Sequence, residues 1–140
     1  MIQQRFIVVV NDDPYLLDAV EDVLRGAGYD AVGYKSSSEA RELVRSRLPD
    51  LIIVDVNLEH PAAGWSFLQL LRLDRETARI PVIVATADIE FLRAKADHLQ
   101  QIGCAILEKP FSIDALLREV TAIVPVAPPP DTSPSSGMAA

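Results

Sequence analysis

The residues of this chain best placed to do chemistry each stand just after a short apolar run. Asn11, Asp12 and Asp13 follow Phe6-Ile7-Val8-Val9-Val10, and Asp55 follows Leu51-Ile52-Ile53-Val54, with Asn57 two residues on. Thr86 follows Pro81-Val82-Ile83-Val84-Ala85, and Lys109-Pro110 comes shortly after Ala105-Ile106-Leu107. Carboxylates held close together without a basic partner repel, and a hard divalent cation relieves the repulsion. Mg²⁺ prefers oxygen ligands and keeps several waters, so one or two carboxylates plus a backbone carbonyl suffice. A lysine and a hydroxyl nearby can contact the oxygens of a transferred phosphoryl group. An aspartate can itself be the nucleophile. The chemistry expected from this set is in-line phosphoryl transfer onto Asp55. No Gly-rich loop follows the first run, which argues against a dinucleotide or Walker-type nucleotide site.

Such residues act together only if the fold brings them to one place, and the apolar periodicity predicts a fold that does. The four runs, with a weaker one near Ala31 to Tyr34, read as strands, most of them without the polar alternation of a half-exposed sheet. Between them lie helical stripes: Leu16/Leu17, Val20 and Val23/Leu24, stopped by Gly26-Ala27-Gly28; Ala40, Leu43 and Val44, opened by a Ser36/Glu39 capping box; Trp65 to Leu73; and Glu90 to Gln101, with Leu92, Ala96 and Leu99 on one face. Ser112 is predicted to cap a last helix with Ile113, Leu116/Leu117, Val120 and Ile123/Val124 inward. Five β-then-α units imply an α/β fold, a doubly wound parallel five-stranded sheet with helices on both faces. Ligands of such sheets bind outside the carboxyl ends of the strands, where Asp12, Asp55, Thr86 and Lys109 all fall.

Composition narrows the partners. Thirteen basic residues against twenty acidic ones give a net charge of −7, which argues against DNA and against an anionic membrane surface as partners. The single cysteine, Cys104, excludes an intrachain disulfide and fits a reducing, cytoplasmic setting. No apolar run approaches the ~18 residues of a membrane span, and the start has no signal-peptide form. From Pro125 the composition turns to Pro, Ala, Ser and Gly, so the expected organisation is a folded domain over residues 1–124 and a disordered tail over 125–140.

Taken together, Val8-Val9-Val10-Asn11-Asp12-Asp13-Pro14, Leu51-Ile52-Ile53-Val54-Asp55, Pro81-Val82-Ile83-Val84-Ala85-Thr86-Ala87 and Lys109-Pro110-Phe111 resemble the receiver domain of bacterial two-component response regulators, over residues 5 to 124. Each motif alone is weak; all four in order are specific. The resemblance implies the flavodoxin-like strand order 2-1-3-4-5. It implies Asp55 as phospho-acceptor, Thr86 as switch hydroxyl and Lys109 as the phosphoryl contact, with a cis bond to Pro110. It also implies Mg²⁺ held by Asp12, Asp55 and the backbone carbonyl of Asn57. The implied donor is a sensor histidine kinase or a histidine phosphotransfer protein, output is by protein–protein contact with a partner the sequence does not name, and a homodimer is compatible. Receivers are signalling modules rather than enzymes in the ordinary sense.

The chain departs from the pattern at several positions. Asn11 stands where the family has its first acidic residue, which predicts weaker Mg²⁺ binding, with the amide still able to hold a metal-bound water. Asp13 lies one position too late to replace it and reads as a turn or cap residue. Glu59 replaces a common proline, and Ile106 replaces an aromatic that couples phosphorylation to the fourth helix. Asp88, two past Thr86, falls where the family tunes phosphoryl lifetime. These departures define an alternative: a degenerate receiver that serves as a phosphorylation-independent binding or dimerisation scaffold. A haloacid-dehalogenase-like enzyme is the weakest reading, because Asn57 lacks the carboxylate such an enzyme uses as acid and base. His60 and His98 read as surface histidines, Cys104 as a small buried hydrophobe, Trp65 as core or rim packing, and Arg41, Arg45 and Arg47 as a solvated helix face.

Overall fold

The computed structural model describes residues 4–55 and 63–126. Along the chain run β1 (Phe6–Val10), α1 (Pro14–Gly26), β2 (Asp30–Tyr34), α2 (Ser37–Arg47), β3 (Leu51–Asp55), α3 (Ala63–Leu73), β4 (Val82–Thr86), α4 (Ile89–Gln101), β5 (Cys104–Glu108) and α5 (Ile113–Ile123). The strands form one parallel sheet in the order β2-β1-β3-β4-β5, the doubly wound order that the resemblance implies.

The apolar runs are uninterrupted because both faces of the central strands are covered. In β1, Phe6, Val8 and Val10 pack with Ile52, Val54, Val82 and Val84 against Ala40 and Val44 of α2, Phe67, Leu68 and Leu71 of α3 and Leu99 of α4. Ile7 and Val9 point the other way, with Leu51, Ile53 and Ile83, against Leu17, Val20 and Leu24 of α1 and Leu116 and Val120 of α5. All five residues of β1, β3 and β4 are buried. Full burial of such a side chain contributes about 1.5–3 kcal/mol, so these strands anchor the fold. β2 and β5 are the edges and are only partly covered, which is why β2 reads weakly in the sequence.

Helix boundaries follow local chemistry. Asp13 caps α1, its side chain accepting from the N–H groups of Tyr15 and Leu16, with Pro14 inside the first turn. Ser36 caps α2 by accepting from Glu39 N–H, and its hydroxyl lies 2.9 Å from the Glu39 carboxylate. Ser112 caps α5 through Ala115 N–H. One expectation needs correction: Ile113 is not inward but 59% exposed. It is the first residue of α5, and Tyr15 and Ile89, in the first turns of α1 and α4, are exposed as well. The arginines of α2 are exposed as expected, and two of the three are partnered: Arg45 pairs with Asp74 at 3.3 Å, and Arg47 lies 3.9 Å above the Phe6 ring.

Away from the sheet's carboxyl edge, two polar groups fasten the elements. Arg72, near the end of α3, donates through Nε to the Ile102 carbonyl (2.8 Å) and through Nη1 to the carbonyls of Ala78 (3.1 Å) and Ile80 (2.8 Å). Its Nη2 stands 3.8 Å from Cys104 Sγ. Burial pushes the Cys104 thiol up from its ordinary pKa, and the Arg72 charge partly opposes the shift. The buried Tyr29 hydroxyl donates to the Val124 carbonyl at 2.6 Å, tying the end of α5 to the start of β2.

Candidate functional site

The site forms where the strand order reverses, between β1 and β3, and takes one residue from each neighbouring strand end. Asn11 directly follows β1; Asp55 is the last residue of β3 and Thr86 the last of β4; Lys109 directly follows β5. The β3–β4 register sets Asp55 beside Ala85, and the β4–β5 register sets Thr86 beside Glu108. Parallel pairing of five-residue strands therefore brings residues 44 to 54 positions apart into hydrogen-bond contact.

Asp55 is the centre. Its Oδ2 accepts from Lys109 Nζ at 2.7 Å and from Asn11 Nδ2 at 3.2 Å. Both Asn11 and Asp55 are buried, and the Lys109 side chain is about a quarter exposed, at 23%. A charge-assisted bond this short in a partly desolvated crevice fixes the carboxylate far better than an exposed ion pair would. The Lys109–Pro110 bond is cis, as the resemblance implies. Lys109 N–H donates to the Thr86 carbonyl at 2.9 Å, so these two site residues share a backbone link.

Thr86 is buried, and its Oγ1 accepts from Asp88 N–H at 2.9 Å. Asp88 in turn caps α4, accepting from Phe91 N–H at 3.0 Å. Its carboxylate is committed to the helix terminus, a role with a plain signal in the sequence: an aspartate just ahead of a helical stripe. The Thr86 hydroxyl is thus the acceptor that steadies the residue capping α4.

Asp12 is exposed beside the site. Asn57, with the rest of the loop after Asp55 and with His60, lies outside the described residues. Among the described residues, no group of three or more His, Cys, Asp and Glu side chains is placed to hold a metal ion. The donor set still fits a loosely held Mg²⁺, because that ion needs only one or two carboxylates and retains its own waters. Asp12 and Asp55 are the two carboxylates that the sequence offers for that role, and of the two only Asp55 is buried at the site. The contact between Asn11 and Asp55 is a feature the sequence did not disclose: residue type alone does not show which end of an amide faces a carboxylate.

Of the other residues singled out, Trp65 is half-buried against Phe91 (ring centroids 5.8 Å apart) and His98 (5.5 Å), with Lys95 Nζ 5.0 Å from its ring centre. It is rim packing between α3 and α4. Cys104 is buried at the start of β5. No helix of the described residues is long and apolar enough to cross a membrane.

The sequence signature of the response regulator receiver domain matches residues 7–121. The polar-differentiation response regulator DivK of Brucella ovis is 29% identical over 115 residues, spanning 81% of this chain and 91% of that protein. Among solved structures, the chemotaxis response regulator CheY4 of Vibrio cholerae superposes with a TM-score of 0.76 at 23% identity, covering 87% of this chain and 100% of that one. The receiver domain of the sensor histidine kinase PA1611 from Pseudomonas aeruginosa PAO1, solved with a magnesium ion coordinated in its active site cleft, superposes with a TM-score of 0.74 at 25% identity. It covers 86% of this chain and 98% of that one.

Proposed function

We propose, since this chain belongs to the response regulator receiver domain family, that Asp55 accepts a phosphoryl group from a phosphohistidine of a sensor histidine kinase or a histidine phosphotransfer protein. The observation that carries the reading is the Lys109 ammonium 2.7 Å from Asp55 Oδ2 at the switch point of the sheet. A carboxylate oxygen of Asp55 forms a bond to phosphorus as the P–N bond of the donor breaks, and the electron pair leaves on the imidazole nitrogen. Lys109 holds the carboxylate before transfer and neutralises phosphoryl oxygens after it. Asp12, Asp55 and the backbone carbonyl of Asn57 would hold Mg²⁺, which when bound supplies charge stabilisation to the transferring group.

Phosphorylation of Asp55 places about −1.5 to −2 charges where one stood. The Thr86 hydroxyl is the neighbouring donor able to answer that charge. Turning toward it means giving up the Asp88 N–H, so the start of α4 registers the change. Output then runs through protein contacts on that face. Residues 1–124 constitute the receiver and 125–140 a tail, and the protein works in the cytoplasm.

The test is intact mass after incubation with a small phosphodonor or a phosphorylated histidine kinase, with and without Mg²⁺, on wild type and Asp55→Asn. The reading expects gain of one phosphoryl group by wild type and none by the variant. No gain from any donor would overturn it in favour of the phosphorylation-independent scaffold.

A further inference from the structure

We propose that the Asn11 carboxamide does for Asp55 what a divalent cation would otherwise do, holding the carboxylate in place with no ion bound. The inference rests on the reading of Asp55 as the working residue, but its geometry and its test stand apart from phosphoryl transfer.

Three observations carry it. Asn11 Nδ2 donates to Asp55 Oδ2 at 3.2 Å, between two buried side chains. The orientation of the amide is fixed from its other end, where Oδ1 accepts from Asp13 N–H at 2.8 Å. Turning the amide over would set its oxygen against the Asp55 carboxylate and its NH₂ against the Asp13 N–H, two repulsive contacts in place of two attractive ones. Asp13 is itself held as the cap of α1, so the Asn11 side chain is braced by a helix terminus.

The third observation is that Lys109 Nζ donates to the same oxygen. Two donors occupy Oδ2, so an ion approaching that atom must displace one of them. A carboxylate at position 11 would instead point an anionic oxygen at an anionic oxygen across about the same gap, and that arrangement needs a cation. One amide thus exchanges a metal-demanding site for one that is internally satisfied. Asn11 is a positioning residue: it acts through Asp55, whose carboxylate it holds.

The experiment uses the full chain and no phosphodonor. Thermal unfolding is followed in EDTA and in excess Mg²⁺ for wild type, Asn11→Asp and Asn11→Ala, with Mg²⁺ affinity measured by calorimetry. Wild type is expected to shift by less than about 1 °C on adding Mg²⁺. Asn11→Asp is expected to melt several degrees lower in EDTA, to recover in Mg²⁺, and to bind the ion at least about tenfold more tightly than wild type. Asn11→Ala removes the donor without adding charge, so it melts lower in both buffers and Mg²⁺ does not restore it. A merely structural asparagine would not create a Mg²⁺ response in the aspartate variant. A wild-type response as large as that of Asn11→Asp overturns the proposal, as does an alanine variant as stable as wild type. If Asn11→Asp does not fold, the wild-type titration and the alanine variant still decide. Because no phosphoryl group is involved, failure of Asp55 phosphorylation and failure of this inference are separately visible.

Discussion

Arg72 offers a calculable perturbation remote from the site. Its guanidinium donates to three main-chain carbonyls, those of Ala78, Ile80 and Ile102. These carbonyls belong to the segments entering β4 and β5, the sheet edge opposite Asp55. A hydrogen bond to a charged group contributes about 1.5–3 kcal/mol, so three would sum to roughly 4.5–9 if the carbonyls were left dry. The side chain is only partly buried, and water enters the space it vacates, so Arg72→Ala is expected to cost about 3 kcal/mol. For a domain of this size that lowers Tm by roughly 10 °C. Arg72→Lys keeps the charge but loses the planar fork, reaches one carbonyl at a time, and recovers less than half the loss. Urea or thermal denaturation of the three proteins measures this directly. Phosphoryl uptake per folded molecule should stay at the wild-type level, because no site residue is touched. An alanine variant within about 1 kcal/mol of wild type, or a lysine variant equal to it, would refute the idea that the fork fastens these segments.

Three further outcomes are expected. Thr86→Val preserves shape but leaves Asp88 N–H without its acceptor, costing about 1–2 kcal/mol in denaturation while Asp55 still takes up phosphoryl in the mass assay. Gly33→Ala places a Cβ 2.9 Å from both Leu17 Cδ2 and Glu21 Oε1, so the ends of these two side chains must shift and stability should fall by about 1 kcal/mol. Burial raises the pKa of the Cys104 thiol above 9.0 and that of the Tyr29 phenol above 10.0. The unfolded chain therefore sheds these protons first, and the stability they contribute is complete below those values and lost as pH rises past them. A stability–pH curve should bend downward in that alkaline window, and Cys104→Ala with Tyr29→Phe should flatten it.

The sheet was legible because burial on both faces leaves a strand no room for polar residues, as in Phe6–Val10 and Leu51–Val54. Convergence of Asp55, Thr86 and Lys109 was legible too, since parallel strands must end at one edge. What remained hidden were properties of three-dimensional contact. Ile113 has the spacing of a core residue, yet at the first position of α5 it is exposed. Arg72 interrupts an apolar stripe without revealing that it reaches three carbonyls. Asn11 reads as the loss of a charge, whereas its amide supplies a donor aimed at Asp55.

The acyl phosphate proposed at Asp55 can be trapped chemically. Borohydride reduces an acyl phosphate to an alcohol, so treating the phosphorylated protein should convert residue 55 to homoserine, found by peptide mass in the segment that contains it. That conversion is expected at Asp55, dependent on donor and absent from Lys109→Ala or greatly diminished in it. Conversion at Asp12 or Asp13 instead, or none in a protein that has gained a phosphoryl group, would contradict it.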